Sequence, residues 1–224
     1  MKHSRPQPGA EPRAAALNEP GFVHSVLSFT RLEIPEVELF ETAVTFADPE
    51  TDPLTAHDAL AEVFGEKAGC GQFLFRKDSA VPGRFWVQSV EPWNRWPEKA
   101  ANALEPKRVV VQLAEGLMYR FTLPVCAGRE TVSGKEKRVV AFETVAEVEK
   151  WFKNNAANFG IKLLLMNVSL QVLRFAHNGQ HFKIPHSIIE GALEVANANR
   201  LRRRILKGFG SHRKLGLGQL QLSA

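Results

Sequence analysis

The chain is 224 residues long with a formal net charge of +5, 44% hydrophobic and 24% charged residues, a balance suited to one large or two small globular cores. It has no run of the about 18 apolar residues that would span a bilayer, no apolar stretch behind its basic N-terminus, and two cysteines, Cys70 and Cys126, outside any CxxC or Cys/His spacing. These features argue against a membrane-spanning helix, a secreted chain or a zinc site, and lead us to expect a cytoplasmic protein with two reduced thiols, no metal and no membrane partner.

Residues 1–20, rich in Pro, Ala and charge, read as a disordered leader. From Phe22 to Leu32 the alternation and β-branched content predict a strand, followed by an acidic loop punctuated by Pro35, Pro49 and Pro53. Asp52-Pro53 has the form of an N-cap with proline at the first helical position. The helix is expected from Leu54 to about Lys67, with Leu60, Ala61, Val63 and Phe64 on its apolar face and Gly69-Cys-Gly71 as its stop. Gln72–Arg76 and Arg84–Val90 read as strands joined by a turn over Asp78–Gly83. Glu91–Pro106, with Pro92, Trp93, Trp96 and Pro97, reads as a connection in which the tryptophans either plug the core or stack on a flipped base. Arg108–Leu113 and Gly116–Val125 then close a first unit.

Ala127–Lys137, rich in glycine and charge, reads as a linker. After it come a strand at Arg138–Phe142, a helix over Thr144–Asn158 with Val145, Val148, Trp151 and Phe152 apolar, and an extended run, Ile161–Ala176. His177-Asn-Gly-Gln180 is a turn, Ile184–Val195 a returning strand, Asn199–Lys207 a short basic helix, and Leu215–Leu222 a last strand. Both halves follow a β-α-β-β order. The expected fold class is therefore α+β, two tandem ferredoxin-like (RRM-like) domains over 21–126 and 138–224, joined by 127–137.

Charge divides the chain as well. Glu33–Glu66 holds ten acids and no Lys or Arg, whereas Arg200–Lys214 holds seven bases and no acid. A polyanion would be repelled by the first stretch and drawn to the second, although a basic helix can also simply face solvent. Within the basic stretch lies Lys207-Gly-Phe-Gly-Ser-His-Arg-Lys-Leu-Gly-Leu-Gly218, in which backbone N–H groups can approach phosphates while the side chains neutralise them. It lacks the Gly-Lys-Ser/Thr ending of a P-loop and follows a helix rather than a strand, so a nucleic-acid phosphate fits better than nucleotide hydrolysis. A purely structural turn is the alternative. The RNP pattern of single-strand-binding RRM domains is absent.

This C-terminal segment, from Glu190-Gly-Ala-Leu-Glu-Val through the glycine-rich run to Gln219-Leu-Gln-Leu222, resembles the glycine-rich motif of CRISPR repeat-cleaving endoribonucleases, nearest to the CasE type found in Cascade complexes. Three further stretches agree in order and spacing: Asp52-Pro-Leu-Thr-Ala-His-Asp-Ala-Leu60 with Phe73-Leu-Phe75, Val87-Gln-Ser-Val-Glu-Pro-Trp93, and Tyr119-Arg-Phe-Thr-Leu-Pro124 with Lys137-Arg-Val139. The resemblance spans residues 22 to 222 and rests on collinearity. It implies binding of a crRNA repeat stem-loop, partnership with other CRISPR effector-complex subunits, no small-molecule cofactor, and a metal-independent cut in which the ribose 2′-OH attacks the adjacent phosphate. A non-catalytic subunit that caps the guide RNA is the rival reading.

By that resemblance His57 occupies the place of the family's helix-borne histidine and moves protons; its spacing from Leu60 and Ala61 also fits a core or cap histidine. Some members carry tyrosine three residues before the histidine, where this chain has Leu54; its single tyrosine, Tyr119, lies in another strand. Lys183 matches a family lysine and is the candidate that stabilises the phosphorane; Arg174, beside the same turn, is the weaker candidate for that role and is counted among the RNA-binding residues, and a solvated hairpin is the alternative for both. For RNA binding the candidates are Arg200, Arg202, Arg203, Arg204, Lys207, Gly208, Gly210, His212, Arg213 and Lys214, with a second basic patch at Lys135, Lys137 and Arg138.

Overall fold

In the computed structural model, which describes residues 35–64, 73–93, 95–133 and 136–223, the acidic stretch after Pro35 is a strand, not a loop. Strand β1 runs Glu36–Phe46. Its acids alternate with Val37 and Leu39, which are buried, so a period-2 pattern lies beneath the charge. The strand expected over Phe22–Leu32, the stop at Gly69–Gly71, Cys70 and Lys135 lie outside the described residues.

Helix α1, Pro53–Phe64, starts as expected: Asp52 Oδ1 accepts from Leu54 N–H at 2.9 Å and Thr55 N–H at 3.1 Å. It lays Ala56, Ala59 and Leu60 against Val44, Phe46, Phe73, Phe75 and Phe85 on one face of the first sheet. That sheet has the order β2-β3-β1-β4, built from Phe73–Lys77 (β2), Arg84–Ser89 (β3), β1 and Ala100–Ala103 (β4). Lys107–Gln112 (β5) continues along the same edge of β1. The connection expected over Glu91–Pro106 thus contains a short strand. Trp93 is buried against Phe64, the core-plug alternative.

The second sheet has the order β11-β6-β10-β9 and is antiparallel throughout. Its strands are Met118–Val125 (β6), Ile161–His177 (β9), Gln180–Val195 (β10) and Gln221–Ser223 (β11). β6 is therefore the first strand of the second unit rather than the last of the first. Its alternation of buried Phe121, Leu123 and Val125 fits either sheet, and pairing with Ser187–Glu194 of β10 decides the matter. The stretch expected as a linker carries a hairpin, Gly128–Ser133 (β7) with Glu136–Ala141 (β8), inserted between β6 and helix α2 at Val145–Phe159. α2 opens on Thr144, whose Oγ1 accepts from Glu147 N–H, and closes on Gly160 in the left-handed region. Helix α3, Ala198–Lys207, follows β10 under the cap of Asn197.

The result is two antiparallel α+β units, each of which sets its last strand beside its first. In the first, the second helix of the ferredoxin-like pattern is replaced by the loop before β4. The uncovered face of the first sheet turns Val37 and Leu39 into the core of the second unit, beside Leu201, Ile205 and Leu220. No helix among the described residues is long and apolar enough to cross a membrane.

Candidate nucleic-acid interface

α3 is anchored by a narrow stripe. Ala198, Leu201 and Ile205 are buried one turn apart, which turns Arg202, Arg203 and Lys207 to solvent. Arg200 donates from Nη1 to the Ala157 carbonyl at 3.0 Å, near the end of α2, where the Gly160 N–H also donates to it. Arg204 lies with its guanidinium 5.2 Å from the centre of the Phe159 ring. Two of the arginines are thus held in place while the rest project. A cleft of about 310 Å³ between the two helices is lined by Asn158, Arg200, Arg203, Arg204 and Lys207. Four of these five side chains are cations, which suits a phosphate.

The first unit fixes the far end of this helix. Gln88 of β3, buried, donates from Nε2 to the Ile205 carbonyl at 3.3 Å, and Gln219 donates to Gln88 Oε1 at 3.2 Å. Arg213 adds Nη1 to the Lys207 carbonyl at 3.1 Å. A cation on the last carbonyls also opposes the negative end of the helix dipole.

Much of the backbone of the glycine-rich run is committed within the chain. The N–H groups of Gly208, Phe209, Ser211, Leu215, Gly216 and Gly218 all donate within the chain. Gly208 and Gly210 act in packing: at Gly210, φ is +63° and an added Cβ would lie 2.4 Å from Val125 Cγ2. What the run presents outward is His212, Arg213 and Lys214. His212 takes the left-handed conformation and sits 2.9 Å from Ser211 Oγ through Nδ1. Partial enclosure of its ring, on an otherwise exposed residue, lowers its pKa from the ordinary histidine value, which favours a neutral ring able to stack or accept.

The helix bearing His57 and the glycine-rich run, far apart in sequence, meet beside β2. α1 packs against the turn at Arg213–Leu215, and both His57 and Gly216 touch Phe75. The His57 side chain is 12% exposed, with its ring centre 5.6 Å from that of Phe73. Its Nδ1 lies 3.1 Å from an oxygen of Asp58, a side chain that is 73% exposed. A carboxylate only accepts, so Nδ1 carries the proton and Nε2 is the nitrogen left for a substrate.

Lys183 and Arg174 are direct cross-strand partners on the β9–β10 hairpin, and both are exposed. Two cations directly opposite one another repel unless an anion sits between or above them. Lys137 and Arg138 lie in β8, with Arg138 exposed. Tyr119 gives its hydroxyl to the Gln112 carbonyl at 2.6 Å, a tie between β6 and β5, and burial raises its pKa. No group of three or more His, Cys, Asp or Glu among the described residues is arranged to hold a metal.

Sequence reasoning missed two features. One is the Gln88–Gln219 support of α3, which no local pattern announces. The other is a contact of His177 with Asp52: the turn and the cap were each legible, but their meeting depends on the length of the β9–β10 hairpin.

A family described as CRISPR associated protein matches residues 30–223. The chain is 28% identical over 193 residues to the CRISPR-associated endoribonuclease Cse3 of Thermus thermophilus, covering 77% of this chain and 90% of that protein. Among solved structures it is similar to the CRISPR endoribonuclease Cse3 bound to a 19-nt RNA, with a TM-score of 0.70 and 20% identity over 84% of this chain and all of that one. It is also similar to a subunit of a CRISPR RNA-guided surveillance complex, with a TM-score of 0.62 and 19% identity over 84% of this chain and 99% of the other.

Proposed function

The chain belongs to the CRISPR-associated protein family, and from that membership we propose that it is an endoribonuclease that cuts precursor CRISPR RNA at its repeat hairpin and keeps the product as a subunit of an effector complex. The observation that carries this reading is the junction of a cationic helix with a histidine. α3 and the Arg213–Lys214 turn offer cations to an RNA stem, and the same turn packs on the helix that bears His57. An A-form stem presents its phosphates along both walls of a deep major groove, and a helix with arginine at successive positions matches that spread of charge.

The reaction we assign needs no metal. The ribose 2′-oxygen attacks the adjacent phosphorus, forming the 2′-O–P bond as the P–O5′ bond breaks. One proton leaves the 2′-OH and one arrives on the 5′-oxygen, giving a 2′,3′-cyclic phosphate and a 5′-OH. His57 Nε2 is the proton carrier, held in its tautomer by Asp58. Lys183, with Arg174 opposite it, supplies positive charge to the phosphorane oxygens.

A second reading has its own support. The His57 side chain is only 12% exposed, and Leu54 stands where some relatives of this type carry tyrosine. A protein of this kind would hold the hairpin without cutting it. One experiment separates the two: purified protein is incubated with its repeat RNA in EDTA and the RNA ends are analysed. New cyclic-phosphate ends support the nuclease, and tight binding with intact RNA supports the cap.

A further inference from the structure

The β9–β10 hairpin outruns its sheet. β6 pairs with β10 only from Ser187 to Glu194, so residues 171–186 continue as a two-stranded ribbon. On one face of the ribbon Phe175 stacks on Phe182 at 5.0 Å, and on the other Lys183 opposes Arg174. A two-stranded ribbon alone is marginally stable in water. Its tip, however, is tied down. His177 Nδ1 lies 3.3 Å from both carboxylate oxygens of Asp52, the N-cap of α1. Asp52 is already fixed by Leu54 N–H, Thr55 N–H and the Thr55 hydroxyl, the last at 2.6 Å. The other ring nitrogen of His177 is 3.1 Å from Asn178 Nδ2. A carboxylate can only accept and an amide nitrogen can only donate, so Nδ1–H donates to Asp52 while Nε2 accepts from Asn178. Both ring nitrogens are thus engaged. The contact is well enclosed, with the His177 and Asp52 side chains 23% and 13% exposed.

We propose that His177 and Asp52 form a positioning clasp that sets the ribbon bearing Lys183 and Arg174 against the helix bearing His57. The inference rests on the cleavage reading above. Asp52 and His57 are five residues apart on one rigid helix, and His177 and Lys183 flank one tight turn. Closing the contact therefore fixes two of the groups assigned to the reaction in a common frame. Opening it leaves the phosphorane-stabilising cations on a ribbon free to swing, and misplacement by about 1 Å can lower a rate by about 100-fold. Neither member of the clasp touches the reacting atoms in this scheme. The clasp acts through where it holds the others.

The test uses the full chain as wild type, as His177→Ala, and as His177→Gln, whose side-chain amide can still donate to Asp52. Three quantities are measured: amide hydrogen exchange over residues 172–184, affinity for hairpin RNA carrying a 2′-deoxy sugar at the cut site, and the single-turnover cleavage rate at saturating protein. For His177→Ala the expected result is faster exchange in the ribbon, affinity within about twofold, and cleavage slower by about tenfold; His177→Gln recovers most of both losses. Unchanged exchange in His177→Ala overturns the clasp. Faster exchange with undiminished cleavage overturns its positioning role. A wild-type protein that never cuts removes the cleavage reading and the positioning role with it, and the exchange data then show separately whether the clasp exists in the fold.

Discussion

The two units share a strand order and differ in what their helices offer. α1 carries no Lys or Arg, opens on an aspartate and shows one enclosed histidine between aromatic rings. α3 carries five cations on ten residues, pinned by three apolar side chains and by Gln88 from the other unit. Burial can hold a histidine in one tautomer and orientation but cannot bind a polyanion. Exposed charge can bind a polyanion but orients little by itself. On the function proposed above, grip and proton chemistry are built on separate elements, and the Arg213–Leu215 turn that packs on α1 joins them.

If that division is real, each half can be removed alone. The largest effect is expected from Arg202→Ala, Arg203→Ala and Lys207→Ala combined. At about 0.1 M salt, loss of three phosphate contacts should weaken hairpin binding by about 100- to 1,000-fold and flatten the dependence of affinity on salt. Filter binding across a salt series reads both quantities, and an unchanged slope would mean that α3 is not the grip. His57→Ala is the complement. Cleavage should fall by about 100-fold or more while affinity for an uncleavable hairpin stays within about twofold, because α1 contributes no cation; a matching loss of affinity would merge the two regions into one.

Smaller effects sharpen the comparison. Gly210→Ala sits beneath the presenting turn and should destabilise the fold by about 1–3 kcal/mol through overpacking and its positive φ, measured by denaturant unfolding. The smallest effect is electrostatic. Burial pushes the Asp52 carboxyl up, but hydrogen bonds from Thr55, His177 and Leu54 outweigh it and hold the pKa below its usual value. A pKa lowered by folding stabilises the native state above the unfolded value, and that contribution is lost as pH falls through the folded value. Asp52→Asn, which keeps a capping oxygen, should therefore cost about 1 kcal/mol or less at neutral pH. The difference should vanish in acid, as read from stability measured along a pH series.

Local pattern was a good guide where a helix end or an alternation stands on its own. The Asp52-Pro53 start of α1, the Phe73–Lys77 and Arg84–Ser89 hairpin and the basic helix after Asn197 were all legible, because capping and binary patterning act within a few residues. It misled where charge masked alternation, as in β1, and where a strand had a choice of sheet, as in β6. At the glycine-rich run, composition suggested a phosphate cradle and did not announce how far its backbone is tied into the fold. Its Ser211 and Gly218 N–H groups donate to Cys126 and Pro124, partners that only the fold brings near.

What the sequence alone determined, then, is the kind of protein: two α+β units, an acidic early stretch, a basic late one, and a collinear likeness to a CRISPR-associated family. Tertiary structure decided which of those residues act together. Helix and strand preferences are short-range, so they were readable in order along the chain. The packing of α1, which bears His57, on the Arg213–Leu215 turn, and the meetings of Gln88 with the end of α3 and of His177 with Asp52, depend on sheet order and hairpin length, which are set by packing between residues far apart in sequence.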